Sequence, residues 1–203
     1  MMKELIIASH NQGKIDEIQE FLSELGIKVI GVREFLDMSE VEESSSTLEG
    51  NAKIKAEYVY NKLKRATLAD DTGLFVRALD GKPGVHTARF AGENTTDREN
   101  REKLLEELQN KEDRFAFFET VLYLIDERGK PHILNGICEG NITKDEIGEN
   151  GFGYDSIFIP LNQKKTFAQL SIKEKNGYSH RAKALKKLKE LLAGIVDESW
   201  NIE

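Results

Sequence analysis

A chain of 203 residues, 39% hydrophobic and 32% charged, is long enough to bury one sizeable core or two lobes sharing one sheet, and lies far from a disordered composition. Its formal net charge of −7 argues against nucleic acid as a partner, yet leaves room for a small anion held by locally focused lysines. The longest apolar runs are too short to span a bilayer, the N-terminal MMKELIIASHNQGK turns polar too early for a signal peptide, and the single cysteine, Cys138, excludes an internal disulfide and suits the cytoplasm.

KELIIAS (3–9) reads as a buried strand. After it Ile15, Ile18, Leu22 and Leu25 recur at helical spacing, and Gly26 stands where a helix ends. KVIGV (28–32) is a second strand, followed by a polar, acidic loop through EVEESSS. A helix begins near Thr47 and carries Leu48, Ala52, Ala56, Val59 and Leu63 on one stripe. ATLADDTGLFV (66–76) runs a strand toward the core and ends it on two acids, Asp70 and Asp71. Thr96 and Glu99 form a capping-box signature for a helix with Leu104, Leu105 and Leu108. Strands at about 115–125 and 132–142 are neighbours joined by a turn at DERGKP. The last helix is predicted from Ser179 to Gly194, with Leu185, Leu188, Leu191 and Leu192 inward and Lys183, Lys186, Lys187 and Lys189 outward. The alternation is that of an α/β protein with an antiparallel part, hence a mixed sheet.

Four stretches carry chemistry. In ASHNQGK, Ser9, Asn11 and Gly13 suit a tight turn, and the helix behind them offers backbone N–H groups to an anion. Lys14 opposes the helix dipole there, which a bound phosphate would explain; an ordinary turn with a solvated lysine is the alternative. The spacing is not that of a Walker A loop. Asp70 and Asp71, adjacent on a strand, point to opposite faces and so take separate roles: one holds a cation or activates water, the other orients a helix or lysine. DDTG is also good turn chemistry, so an acidic turn remains the simpler reading of that pair alone. GENGFGYDSIFIP (148–160) places Phe152 and Tyr154 on a glycine-rich loop as exposed aromatics beside Asp155, an arrangement able to stack a nucleobase, or else a loop pinned by aromatics in the core. Its order of glycines and the strand that follows do not fit a dinucleotide fingerprint. In KEKNGYSHRAKAL, Ser179 caps a helix whose first turn holds His180 and Arg181; Arg181 and the helix N-terminus offer only donors and together suit a keto oxygen, a solvated basic helix end being the alternative. The histidines (His10, His86, His132, His180) are scattered, and Cys138 reads as a small core residue, so neither a transition-metal site nor a cysteine nucleophile is expected.

Together, SHNQGK, LADDTGL running into GKPGVHTARFAGE, GFGYDSIFIP and FAQLSIKEKNGYSHRAKAL resemble the motif series of the inosine/xanthosine triphosphate pyrophosphatase family, over nearly the whole chain. The resemblance implies one domain over 1–203, an elongated two-lobed α/β fold around a twisted mixed sheet with flanking helices, the substrate in the cleft between the lobes, and a cytoplasmic homodimer. It implies hydrolysis of non-standard purine nucleoside triphosphates (ITP, dITP, XTP) to the monophosphate and pyrophosphate with Mg2+, and no nucleic-acid or membrane partner. Residue by residue, it makes Ser9, His10, Asn11, Gln12, Gly13 and Lys14 the phosphate loop. Asp71 becomes the general base at the metal, with Asp70 its structural or metal-linked neighbour and Thr72 a phosphate contact. Glu43 matches the metal-binding glutamate, Glu42 being the alternative, and Lys55 the phosphate-contacting lysine. Phe152 stacks on the base and Asp155 bonds its edge, with Gly153 and Tyr154 in the same loop; Lys175, His180 and Arg181 complete the substrate contacts.

The chain departs from the family pattern in places. ESSSTLEGNA lacks the usual Thr-Gly, Gly50 replaces a frequent acid, Thr72 stands where serine is common, Gly177–Tyr178 varies locally, and Ser156 replaces a frequent proline, which is expected to loosen that loop. A Maf-type pyrophosphatase of other base specificity would not be expected to carry the SHR segment. A non-hydrolysing nucleotide sensor would gain nothing from acids at the phosphates.

Overall fold

In the computed structural model, which describes residues 3–35 and 41–198, the chain divides into two compact units. The first holds the chain up to Asp71, Thr120–Gly136 and the part from Ala182; the second holds Thr72–Glu119 and Ile137–Arg181. The strands are β1 (Glu4–Ile7), β2 (Lys28–Gly31), β3 (Thr67–Val76), β4 (Pro83–Gly84), β5 (Phe115–Ile125), β6 (Pro131–Ile142) and β7 (Phe158–Pro160). The α-helices are α1 (Gln12–Leu22), α2 (Leu48–Leu63), α3 (Asp97–Glu107), α4 (Ile172–Lys175) and α5 (His180–Glu198). Hydrogen bonding orders the strands β2-β1-β3-β5-β6-β7, with β4 added to β3. β1 is parallel to β2 and β3, while β4 on β3 and β7 on β6 are antiparallel, so the sheet is mixed, as the element order predicts.

In the first unit the parallel strands are covered on both faces, and strand alternation sorts their side chains into two layers. Leu5, Ile7, Leu68, Leu122 and Leu124 pack with Ile15, Ile18 and Leu22 of α1 and with Ala184, Leu185, Leu188 and Leu192 of α5. Ile6, Ala69, Tyr123 and Ile125, one residue out of phase, pack with Ala52, Ala56 and Val59 of α2. α1 and α2 begin where the sequence places them. Asn11 accepts from Lys14 N at the start of α1, and Thr47 accepts from Gly50 N at the start of α2. After α1, a short 3-10 turn ends at Gly26, whose φ of +66° is the left-handed conformation that glycine takes without steric cost.

In the second unit Leu74, Val76, Ala116, Phe118, Cys138, Phe158 and Phe167 form the core with Leu104 of α3 and Leu108 just after it. The expected capping box of α3 is present, with Thr96 and Glu99 bonding each other's backbone N–H. Replacing Thr96 with alanine is expected to cost about 1 kcal/mol and lower Tm by roughly 2–4 °C in calorimetry. An unchanged Tm would show that this cap contributes nothing to stability.

Several boundaries differ from the sequence reading, including the end of β2 at Gly31 rather than Val32. β1 stops at Ile7 rather than running through Ser9. β3 does not end on its acids but continues to Val76, because each carboxylate has a cation on its own face and does not need a turn to reach water. α5 passes through Gly194 to Glu198, since that glycine keeps a helical backbone rather than the left-handed one that would end the helix.

Candidate active site

Alternation along β3 decides what each acid meets. Leu68 lies in the α1/α5 layer and Ala69 in the α2 layer, so Asp70 faces α1 and Asp71 faces α2. Lys14 of α1 reaches Asp70 Oδ2 at 3.0 Å, and Lys55 of α2 reaches Asp71 Oδ1 at 3.3 Å. The opposite roles expected of two adjacent strand residues thus appear as two separate ion pairs, both acids being buried. Lys14, unfavourable to the helix dipole, is held there by Asp70.

Lys55 also donates to Glu43 Oε1 at 2.8 Å, so one ammonium bridges two carboxylates. Burial works against its charge, but Asp71, Glu43 and Asp70 together outweigh that and hold its pKa above the ordinary lysine value. Burial pushes the Asp71 carboxyl above the ordinary aspartate range; the Lys55 ammonium pulls it back in part, while the Glu43 charge adds to the rise. Of the two candidate glutamates, Glu43 is half-buried at Lys55 and Glu42 is exposed. Asp71 Oδ2 is buried and has no hydrogen-bond partner among the described residues.

Among the described residues no group of three His, Cys, Asp or Glu side chains could hold a metal ion by itself. Two carboxylates, one with an orphaned oxygen, are donors of the kind a hard, oxygen-preferring cation takes. The residues fit such an ion and not a thiolate- or imidazole-bound metal.

Between β1 and α1, Ser9 Oγ accepts from Asn11 N at 3.1 Å, and Asn11 Oδ1 accepts from Lys14 N at 3.2 Å. Gln12 is tied to Asp16 at 2.8 Å, and His10 and Gly13 complete a partly exposed turn at the helix N-terminus.

The second unit holds the aromatic and basic residues. Lys175 donates to Asp155 Oδ2 at 2.8 Å, both side chains being buried, and the same oxygen accepts from Phe152 N at 3.1 Å. Lys175 Nζ lies 5.0 Å from the Phe152 ring centroid and the Arg181 guanidinium 5.7 Å from it. His180 stacks on Phe118 with centroids 4.6 Å apart, and Arg181 Nη2 lies 3.4 Å from Thr72 Oγ1. Phe152, Gly153, Asp155, Lys175, His180, Arg181 and Thr72 thus belong to one unit, whereas Glu43, Lys55, Asp70, Asp71 and the Ser9–Lys14 turn belong to the other. The expected pair of exposed aromatics splits. Phe152 is half-exposed, but Tyr154 is buried, donating its hydroxyl to Thr87 O at 2.8 Å, and desolvation lifts its phenol well above the ordinary range.

Sequence reasoning missed Asn51. Fully buried on α2, it accepts from Ser45 N at 2.9 Å and so ties the loop bearing Glu43 to the helix that carries Lys55. Its only sequence signal is an asparagine on the apolar side of a helix.

No helix among the described residues is long and apolar enough to cross a membrane. The Ham1 family model matches residues 5–191. A dITP/XTP pyrophosphatase of Caldanaerobacter subterraneus subsp. tengcongensis is 45% identical over 201 residues, covering 98% of this chain and 100% of that protein. One from Bacillus anthracis is 45% identical over 193 residues, covering 93% and 96% respectively. Among solved structures, the Ham1 protein of Staphylococcus aureus superposes with a TM-score of 0.85 at 43% identity, covering 95% of this chain and 99% of that one. On these matches, which span nearly the whole chain, the protein belongs to the Ham1 family.

Proposed function

We propose that the protein hydrolyses non-standard purine nucleoside triphosphates (ITP, dITP and XTP) to the nucleoside monophosphate and pyrophosphate. The observation that carries this reading is Asp71, a buried carboxylate lifted above its ordinary pKa, paired through one oxygen to Lys55 and holding the other without a hydrogen-bond partner among the described residues. Such a group can take a proton from an attacking water. The water oxygen bonds to phosphorus, the anhydride P–O bond breaks, and its electron pair leaves with pyrophosphate. Lys14 and Lys55, with the Ser9–Lys14 turn and Thr72, contact the phosphates. Asp70 serves chiefly to place Lys14. Asp71 and Glu43 would hold magnesium, which, when bound, screens phosphate charge and polarises the bond to be broken.

Phe152 stacks on the base, and Asp155, Lys175, His180 and Arg181 supply polar contacts to its edge and the substrate; Gly153 and Tyr154 fix the loop between them. Selectivity follows from donors and acceptors. Hypoxanthine and xanthine present an acceptor at C6, adenine an amino donor, and Arg181 offers donors only. Facing adenine, a desolvated donor loses its partner at a cost of roughly 1–3 kcal/mol, or about 5- to 150-fold in kcat/KM. The same reading makes the protein a magnesium-dependent cytoplasmic homodimer acting on small molecules, with neither nucleic acid nor membrane as a partner. Turnover of ITP beside ATP, with magnesium and with the products identified, tests it. Preferential turnover of ITP is expected, and equal turnover of ATP would contradict the role given to the base-edge residues.

A further inference from the structure

The segment bearing Phe152 has little intrinsic reason to hold one conformation. Gly151 and Gly153 flank the ring, both with left-handed backbones (φ +79° and +59°), and glycine loses more conformational freedom on ordering than any other residue. A ring meant to stack on a base must nonetheless be held in place before the base arrives.

Both backbone polar groups of Gly153 are taken by one helix. Gly153 N donates to Asp97 Oδ2 at 2.8 Å, and Arg101 Nη1 donates to Gly153 O at 2.8 Å. Asp97 and Arg101 are four residues apart on α3 and therefore on one face. Arg101 Nε in turn donates to Glu146 Oε2 at 2.8 Å, and that oxygen accepts from Ser156 Oγ at 2.9 Å. The chain from Gly153 to Ser156 is thereby closed into a ring through Glu146 and Arg101. Ser156, expected from its replacement of a proline to loosen this loop, anchors it instead. An isolated surface ion pair would contribute little. Here the Arg101 side chain is 17% exposed and its guanidinium serves two acceptors in fixed geometry.

We propose that Arg101 and Asp97 are positioning residues for Phe152, clamping the peptide that follows the ring so that the loop is already in its base-binding conformation. The inference rests on Phe152 being the base-stacking residue. The clamp residues act through that ring. Releasing the clamp lowers the fraction of molecules with the loop in place and raises the apparent substrate constant by the inverse of that fraction. Asp71 and Lys55 belong to the other unit, so the chemical step is spared.

The test is a double-mutant cycle on ITP hydrolysis, with Tm measured for every variant. Arg101→Ala is expected to raise KM roughly three- to tenfold with kcat within about twofold. In a Phe152→Ala background the same change should add less than about twofold, because the ring through which it acts is gone. An equal rise in both backgrounds, or a fall in kcat with KM unchanged, would overturn the clamp. If Phe152→Ala alone leaves KM unchanged, the base-stacking reading fails, and the clamp with it. A rise for Phe152→Ala without one for Arg101→Ala rejects the clamp only. Should Arg101→Ala not fold, Asp97→Ala replaces it in the cycle and probes the clamp from the other side of Gly153, with the same results expected and the same results overturning it.

Discussion

Replacing Asp71 with asparagine is expected to lower kcat for ITP by about 10²- to 10⁴-fold while nucleotide binding persists. Asparagine keeps the shape of the side chain and can still accept from Lys55 through its amide oxygen, but it cannot take a proton from water. Glu43 remains on the Lys55 ammonium at 2.8 Å, so that charge keeps a partner and the fold is retained. Binding measured by calorimetry beside turnover separates the two effects. Full activity in this variant would remove Asp71 from the chemical step.

Replacing Phe152 with alanine acts on affinity instead. Stacking of a base on an aromatic ring contributes roughly 1–3 kcal/mol, so KM should rise about 5- to 150-fold. Two cations also lose the ring they face, Lys175 at 5.0 Å and Arg181 at 5.7 Å. Every base has a π-face, so the loss should fall on ITP and ATP alike and leave their ratio nearly unchanged. Kinetics indistinguishable from the parent protein would remove Phe152 from the base site.

What could be read from the sequence was set by local physics. Thr47 before the α2 stripe, the Thr96–Glu99 box and Gly26 after α1 declare helix ends because a cap is satisfied within a few residues of itself. That Asp70 and Asp71 would serve different partners follows from strand alternation alone. Which partners they meet does not, since Lys14 and Lys55 arrive on α1 and α2 through packing of the two layers. DDTG has good turn chemistry, and nothing local says that the strand continues through it; the two lysines let the strand carry buried acids. The choice between Glu42 and Glu43 is likewise one of burial, and so is the fate of Tyr154, whose hydroxyl finds Thr87 O 67 residues away. The Gly153 clamp spans 52 residues to Arg101, beyond any local pattern.

The most direct measurement is ³¹P NMR of ITP turned over with magnesium. Hydrolysis at the anhydride beside the nucleoside monophosphate predicts IMP and pyrophosphate in equal amounts, with no IDP and no orthophosphate at early times. Orthophosphate with IDP would mean that the terminal phosphate is removed, and would contradict the proposed reaction.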